Sequence, residues 1–256
     1  MKYFLAFLHK EATEHKRTGK WTILGILFVL FGIMNPAIAK MTPWLMEMMA
    51  DSMEEAGMSI HIANITAMDS WVQFYKNIPM TLVIFVLLEG SIFTKEYQKG
   101  TLILSLTKGM PRHSVLWAKT AMLTATWTMG YWLCFGITYG YNAYFWDNSI
   151  AQHLLFSAVC WWVFGLWMIC LMVFFSVLAN TTTVVLLGSG SIVLASYLLG
   201  LLPKLSKYLP TMLTDGNSLI YGTAAPTQYL FSLALTGCLS TVLMGISIPL
   251  LNKKQL

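Results

Sequence analysis

Long apolar stretches recur along this chain, and they restrict it to one class of fold. The stretch from Trp21 to Ile38, for example, contains no charged residue. A helix needs about 20 apolar residues to cross the roughly 30 Å hydrocarbon core of a membrane. A membrane β-strand would instead show about ten residues of alternating polarity, and these stretches do not alternate. The sequence therefore predicts an all-α integral membrane protein.

Composition excludes a soluble domain. Only 11% of the residues are charged, whereas soluble domains average about a quarter. The net charge of +5 is typical of basic cytoplasmic loops and does not indicate a nucleic-acid partner. Four cysteines lie inside apolar stretches without CxxC spacing: Cys134, Cys160, Cys170 and Cys238. The histidines are scattered, and no nucleophile stands beside a base, so we expect neither a metal site nor a catalytic site.

Six stretches are predicted to cross the membrane within a single transmembrane domain, residues 1–256. They are residues 21–39, 78–93, 114–145, 154–179, 184–202 and 229–251. Residues 1–18 place Phe4, Leu5 and Leu8 on one side, which predicts an amphipathic helix lying along the inner membrane surface. Residues 40–77 and 203–228 are predicted as small outer segments. Within the first of them, residues 44–55 predict a separate amphipathic helix.

The first span ends in Ala37-Ile38-Ala39, which resembles a signal-peptidase cleavage site. The long charged lead before it and the length of its apolar run are atypical of a signal peptide. We therefore expect an uncleaved span.

The basic residues are distributed unevenly between the predicted loops. Most lie in residues 1–20, in the loop 94–119 and at 253–254, whereas the opposite side keeps Lys40, Lys76, Lys204 and Lys207. Because cytoplasmic loops are enriched in Lys and Arg, both termini are predicted to be cytoplasmic.

The basic loop between the second and third spans has regular helix stops and starts. Gly100 is suited to end a helix in a left-handed conformation, and Thr101 is suited to cap a new helix over residues 102–108. Gly109 would end that helix, and Pro111 fits the first turn of the next one. On pattern alone this loop is either a docking surface or an ordinary loop that sets topology.

One set of residues in and beside this loop has a distinctive spacing: Glu96-x-x-x-Gly100-Thr101-Leu102, then Thr107-Lys108, Arg112 and Lys119. This spacing resembles the signature of ABC-2-type ABC transporter permeases, the transmembrane subunits of bacterial ABC exporters. The N-terminal helix, the six spans and the broken outer segment also fit an ABC-2, type V exporter-like fold. Gly109 and Pro111 depart from the family, in which proline and serine are common at these positions.

The resemblance implies that residues 94–113 form a cytoplasmic coupling loop, whose helix docks on a separate ATPase subunit. The implied ATPase-coupling residues are Glu96, Lys99, Gly100, Thr101 and Arg112. This chain lacks G-x-x-x-x-G-K-[ST], so ATP and Mg²⁺ would bind to the partner. Charge reversal at Glu96 is expected to uncouple that partner while leaving the permease folded.

The resemblance also implies a second permease copy, or a related permease, in the membrane of a bacterial cell. Membrane lipids surround the spans. The aromatic and Met-rich spans favour an amphipathic or antimicrobial peptide, or a lipid-like molecule, as cargo.

Glu89 is the one acidic residue well inside a predicted span, which makes it a candidate functional residue. Two interpretations remain open. It forms a structural pair near the cytoplasmic interface, with Lys119 as a candidate partner, or it contacts a substrate or ion. The second interpretation defines an alternative function, an ion- or proton-coupled secondary transporter, which normally needs several such groups.

Overall fold

The structure is a computed structural model that describes residues 2–54, 65–102, 107 and 109–254, and these residues are predominantly helical. The helices are α1 Lys2–Arg17, α2 Lys20–Glu54, α3 Ala67–Glu89, α4 Thr94–Lys99, α5 Arg112–Phe145, α6 Leu154–Leu178, α7 Thr182–Gly200, α8 Pro203–Ser206, α9 Gly216–Ile220 and α10 Leu230–Lys253. Short 3-10 turns lie at Asn148–Ile150, Pro210–Thr214 and Pro226–Tyr229. No strand occurs in these described ranges, which confirms the all-α prediction.

Within the described part of the chain, five helical segments are long and apolar enough to cross a membrane. They are Lys20–Met48, Ala67–Lys99, Leu154–Leu178, Thr182–Gly200 and Pro226–Lys253. The remaining predicted span, residues 114–145, lies in α5. This helix has 34 residues and is therefore roughly 50 Å long, but threonines, glycines and tyrosines interrupt its apolar sequence.

The first span belongs to a longer helix than predicted. α2 passes through Pro36 and Pro43 and ends at Glu54, so no separate helix begins at residue 44, and Glu55 lies outside the described residues. Proline at position 36 leaves the carbonyl of Gly32 without its usual helical donor. The Thr138 hydroxyl donates to that carbonyl at 3.0 Å. A neighbouring helix therefore satisfies the backbone group that Pro36 leaves free.

α3 also starts earlier than the predicted span at residue 78. The Thr66 backbone N–H donates to the Asp69 carboxylate at 2.9 Å, and these two residues form a capping box that fixes the helix start at Ala67. At its other end α3 stops at Glu89, and a turn leads into α4. α4 ends at Gly100, whose φ of 66° is left-handed as predicted.

α6 is the central helix of the bundle, with α5, α7 and α10 packed around it, while α2 packs between α3 and α5. Two glycines allow the closest approaches. A Cβ on Gly130 would lie 2.2 Å from the ring of Phe28, and a Cβ on Gly165 would lie 2.2 Å from the ring of Trp127. Small residues at such positions let membrane helices approach closely.

The segment 203–229 covers one end of the bundle and contributes buried side chains of its own, including Leu213 and Leu219. The Trp161 indole N–H donates to the Thr214 carbonyl at 2.8 Å. The Tyr229 hydroxyl donates to the carbonyl of Asp215 at 3.1 Å. The first contact ties the segment to α6, and the second holds the segment together just before α10. The Ser232 hydroxyl on α10 donates to the Leu209 carbonyl of the segment at 2.5 Å.

α1 contacts α5 and α2 through a face that only partly coincides with the predicted apolar stripe, from which Phe4 and Leu8 pack against buried residues. Its buried side chains are Phe7, Glu11 and His15, which follow the i, i+4, i+8 spacing of one helix face. Leu5, assigned to the apolar stripe, is 57% exposed. The polar side chains on the buried face of α1 define the site described next.

Candidate functional site

Several helix ends meet at the basic end of the bundle, where α1, α4 and the start of α5 lie together. The ends of α6 and α10 and the start of α7 are also here, because Arg112 and Lys254 bond to carbonyls of α10 and of the α6 end. The hydroxyls of Thr94 and Thr182 lie 2.7 Å apart. Hydrogen bonds therefore link the elements around the predicted coupling loop to one another in pairs.

Two neighbouring groups of charged side chains join α1 to these elements, and together we call them the ion cluster. Most of these side chains are buried, but that of Lys10 is 42% exposed. Its members are Lys10, Glu11, His15, Lys20, Glu89, Glu96 and Lys119.

Lys119 on α5 lies at the centre of the ion cluster and is 1% exposed. Its Nζ atom donates to Glu11 Oε1 at 2.9 Å and to the carbonyl of Ile92 at 2.8 Å. The same Nζ lies 3.2 Å from Glu96 Oε2. Lys119 thus links α1, the turn after α3, and α4 through a single ammonium group.

Glu96, the first residue of the family-like spacing, faces the inside of the protein. Its side chain is 8% exposed, and its Oε1 atom pairs with the ammonium group of Lys10 on α1. Glu96 therefore lies between Lys10 and Lys119 and joins α4 to both α1 and α5. Its carboxylate braces the loop from within and is not displayed on the outer surface.

Glu89 is fully buried and is paired, but not with the predicted partner. His15 Nε2 lies 3.0 Å from Glu89 Oε2, and Lys20 Nζ lies 2.9 Å from the same atom. The suggested pairing with Lys119 is wrong, because that lysine is occupied by Glu11 and Glu96. The other Glu89 oxygen, Oε1, has no hydrogen-bond partner among the described residues.

Burial makes Glu11, His15, Glu89, Glu96 and Lys119 dependent on their partners. Taking an ion out of water costs several kcal/mol, which only close pairing offsets. Burial raises the pKa of the Glu11 carboxyl, and the adjacent Lys119 ammonium opposes this shift. The three lysines and three glutamates balance in charge, so the cluster is neutral apart from His15.

The ion cluster is poorly suited to hold a metal. Among the described residues, carboxylate oxygens of Glu11, Glu14 and Glu96 lie within 4.8 Å of one another. Lys119 and Lys10 already pair with two of these three acids. A divalent cation here would have to compete with two ammonium groups.

The other predicted coupling residues lie around the ion cluster in different environments. Arg112 donates to the carbonyls of Leu251 at 2.7 Å and Lys254 at 2.6 Å. Lys99 is exposed at the end of α4. Thr101 is already helical, so the new helix begins at or before it. Residues 103–106 and 108 of the predicted coupling helix lie outside the described residues.

Residues 5–247 match the family model described as ABC-2 family transporter protein. The chain belongs to the ABC-2 transporter family. Comparison with curated proteins and with solved structures found no match. The chain is thus a multi-pass membrane permease, a subunit of an ABC transporter that has an ATPase partner. Subunits of this type are normally non-catalytic.

Sequence reasoning missed four members of the permease's ion cluster, Lys10, Glu11, His15 and Lys20. One signal was present in the sequence. Phe7, Glu11 and His15 share a helix face, so an apolar side chain is followed by two ionisable ones at i+4 spacing. A polar stripe beside an apolar one on an N-terminal helix can mark a face that packs on other charged helices.

The Glu89→Gln variant of the permease should retain transport, because the carboxylate is a structural partner of His15 and Lys20. Gln preserves the shape and one acceptor oxygen, and Lys20 is close enough to the surface to reach water. We expect reduced thermal stability and unchanged dependence on ATP in vesicles. A Glu89→Gln variant that folds normally but loses transport, or a wild type driven by a proton gradient without ATP, would contradict this assignment.

Proposed function

We propose that this permease is the transmembrane subunit of an ATP-driven exporter and forms its translocation path. Residues 94–113 couple it to a separate ATPase subunit, which binds ATP and Mg²⁺. Two permease copies, or this chain with a related one, pair in the bacterial cytoplasmic membrane. Both termini lie in the cytoplasm, and six helices cross the membrane, with α5 as the third.

The observation that carries this proposal is the position of Glu96. It belongs to the loop expected to touch the ATPase, and its carboxylate joins α4 to α1 and to α5. A displacement of the loop therefore pulls directly on Lys119, which lies on a helix of 34 residues. Rigid elements connected by buried ion pairs transmit such a displacement over a long distance.

The proposed orientation is supported by the distribution of charge over the two ends of the bundle. Lys10, Lys20, Lys99, Arg112 and Lys254 lie at the end that contains α1 and α4. An excess of Lys and Arg is characteristic of the cytoplasmic side. This end is also where the loop 94–113 would meet an ATPase in the cytoplasm.

A groove at the opposite end supports an amphipathic cargo. It has a volume of about 750 Å³ and lies between α5 and α6. Phe135, Tyr139 and Phe156 form much of its wall, and Asp147 lies at its edge. Two hydrogen bonds from Ser149 lower the pKa of the Asp147 carboxyl, which keeps it ionised. Aromatic walls beside a carboxylate suit an amphipathic peptide or a lipid-like molecule with a cationic group.

Lys99→Glu should weaken the complex with the ATPase, because Lys99 is exposed on the loop and does not belong to the ion cluster. The matched control is Lys207→Glu, which reverses an exposed lysine at the opposite end of the bundle. Like-charge contacts at an interface cost enough to weaken binding by about tenfold or more. Co-expression with the ATPase subunit of the same transporter, followed by affinity measurement and an assay of ATP hydrolysis, tests the expectation.

Two results would count against the proposal. A wild-type permease that forms no complex with the ATPase and does not change its hydrolysis rate would remove the exporter function. Equal binding by the Lys99→Glu and Lys207→Glu variants would remove the loop as the coupling surface.

A further inference from the structure

The guanidinium of Arg112, the first residue of α5, binds the end of α10. Its Nη1 atom lies 2.7 Å from the carbonyl oxygen of Leu251, 3.2 Å from that of Asn252 and 2.6 Å from that of Lys254. The last carbonyls of a helix lack intrahelical donors, and the end of the helix dipole is negative. A cation that donates to several of them is therefore strongly held.

The side chain of Lys254 makes a matching contact with a different helix. Its Nζ atom donates to the carbonyls of Val177 at 2.9 Å and Ala179 at 2.8 Å, at the end of α6. The same atom lies 4.0 Å from the centre of the Tyr97 ring on α4. Burial lowers the pKa of Lys254 to about 8, so its charge is held in a partly desolvated position.

These contacts interlock. Arg112 lies near the end of the coupling loop and holds the backbone of residues 251–254. Lys254, within that backbone, holds the end of α6 and faces Tyr97 on α4, near the start of the same loop. Among the described residues neither cation has a carboxylate partner. Both are matched to helix-end carbonyls, which lie at fixed positions on α6 and α10.

We propose that Arg112 and Lys254 form a clamp through which movement of the coupling loop reaches α10. Lys254 is a positioning residue in this device, and the inference rests on the coupling function proposed above for residues 94–113. The ion cluster connects the loop to α1 and α5 through Glu96. It also connects α2 to the end of α3, just before the loop, through Lys20 and Glu89. The clamp is a second connection, leading to the other side of the bundle, where α10 packs against α6.

The clamp and the ion cluster would transmit movement to different helices. Distance measurements at the opposite end of the bundle can therefore distinguish their effects. Spin labels at Tyr144 on α5 and Leu230 on α10 report the clamp route, and labels at Met41 on α2 and Tyr144 report the ion-cluster route. Tyr144 is 83% exposed, Leu230 is 53% exposed and Met41 is 51% exposed. Cys170 and Cys238 are first replaced by serine. The full complex is measured without nucleotide, and with ATP and Mg²⁺ bound to an ATPase that cannot hydrolyse ATP.

We expect Lys254→Met to lose most of the nucleotide-driven change in the 144–230 distance and to keep the change in the 41–144 distance. Lys254→Arg should restore the first change, because a guanidinium can donate to both carbonyls. The matched control is Lys253→Met, whose side chain is exposed one residue earlier on α10. It should leave both changes as in the wild type.

A wild-type change in the 144–230 distance in the Lys254→Met variant would overturn the clamp. If the Lys254→Met variant does not accumulate, Lys254→Gln is measured in its place. A wild-type change in the 144–230 distance in Lys254→Gln would equally refute the clamp. Loss of both changes in Lys254→Met would also contradict it, because the defect would not be specific to α10. A wild-type complex with no change in either distance would instead refute the coupling function itself.

Discussion

The Lys119→Met variant should lose about 3–5 kcal/mol of stability, the cost of removing one partner from a buried ion pair. Methionine fills a similar volume, so the loss reflects charge more than packing. Glu11 is 2% exposed and Glu96 is 6% exposed, and both would be left without their shared ammonium group. The carbonyl of Ile92 would lose its donor as well. We expect α1 to separate from the bundle or the permease to fail to accumulate.

Thermal unfolding of the detergent-solubilised permease measures this effect. Lys99→Met is the control, because Lys99 is exposed on the same loop, and its variant should unfold at nearly the wild-type temperature. Adding Glu11→Gln to Lys119→Met should recover part of the loss, because one buried charge is then removed together with its partner. A Lys119→Met variant as stable as Lys99→Met would show that the ion cluster is not structurally important.

Glu96→Arg should be at least as damaging, and it should not leave the permease folded, contrary to the expectation from sequence. That expectation assumed a carboxylate on the surface, facing the ATPase. The structure places it between Lys10 and Lys119, so the substitution would put three cations together where water is largely excluded. Like charges in a medium of low dielectric constant repel each other strongly.

Comparing Glu96→Arg with Glu96→Gln distinguishes the effect of this residue on folding from its effect on coupling to the ATPase. Gln removes the charge without adding a repulsive one, so we expect that variant to fold with reduced stability and to stimulate the ATPase less. Limited proteolysis in the linker between α1 and α2, near Gly19, would detect release of α1 in the Arg variant. A Glu96→Arg permease that resists proteolysis and still binds the ATPase would refute the internal position of this carboxylate.

The sequence predicted most closely those helices whose first and last residues are determined by their neighbours along the chain. α6, α7 and α10 start and end within a few residues of the predicted spans, because each apolar run is flanked by turn-forming residues. The left-handed Gly100 was predictable for the same reason, since only its own backbone conformation matters. The family-like spacing around it could likewise be read without knowing which helices are neighbours.

Features that depend on contacts between distant residues could not be predicted. The choice of His15 and Lys20 over Lys119 as partners of Glu89 is set by how α1 crosses the bundle, which the sequence does not specify. The length of α2 is a second example. The predicted span passed Pro36 and stopped at residue 39, whereas α2 continues through Pro43 to Glu54. The carbonyl that Pro36 leaves free is satisfied by the hydroxyl of Thr138, about a hundred residues away along the chain.

That hydroxyl also gives α2 an unusual mechanical property. Elsewhere in a helix, a change of direction requires breaking a hydrogen bond within the helix itself. At Pro36 the corresponding bond is made by α5, so the two parts of α2 are joined there by covalent geometry and by a contact with another helix. Asn35 bonds to both Thr138 and Asn77 at the same level. Separation of α2 from α5 would therefore free α2 to bend and, at the same time, expose the Asn35 amide to the gap between the two helices.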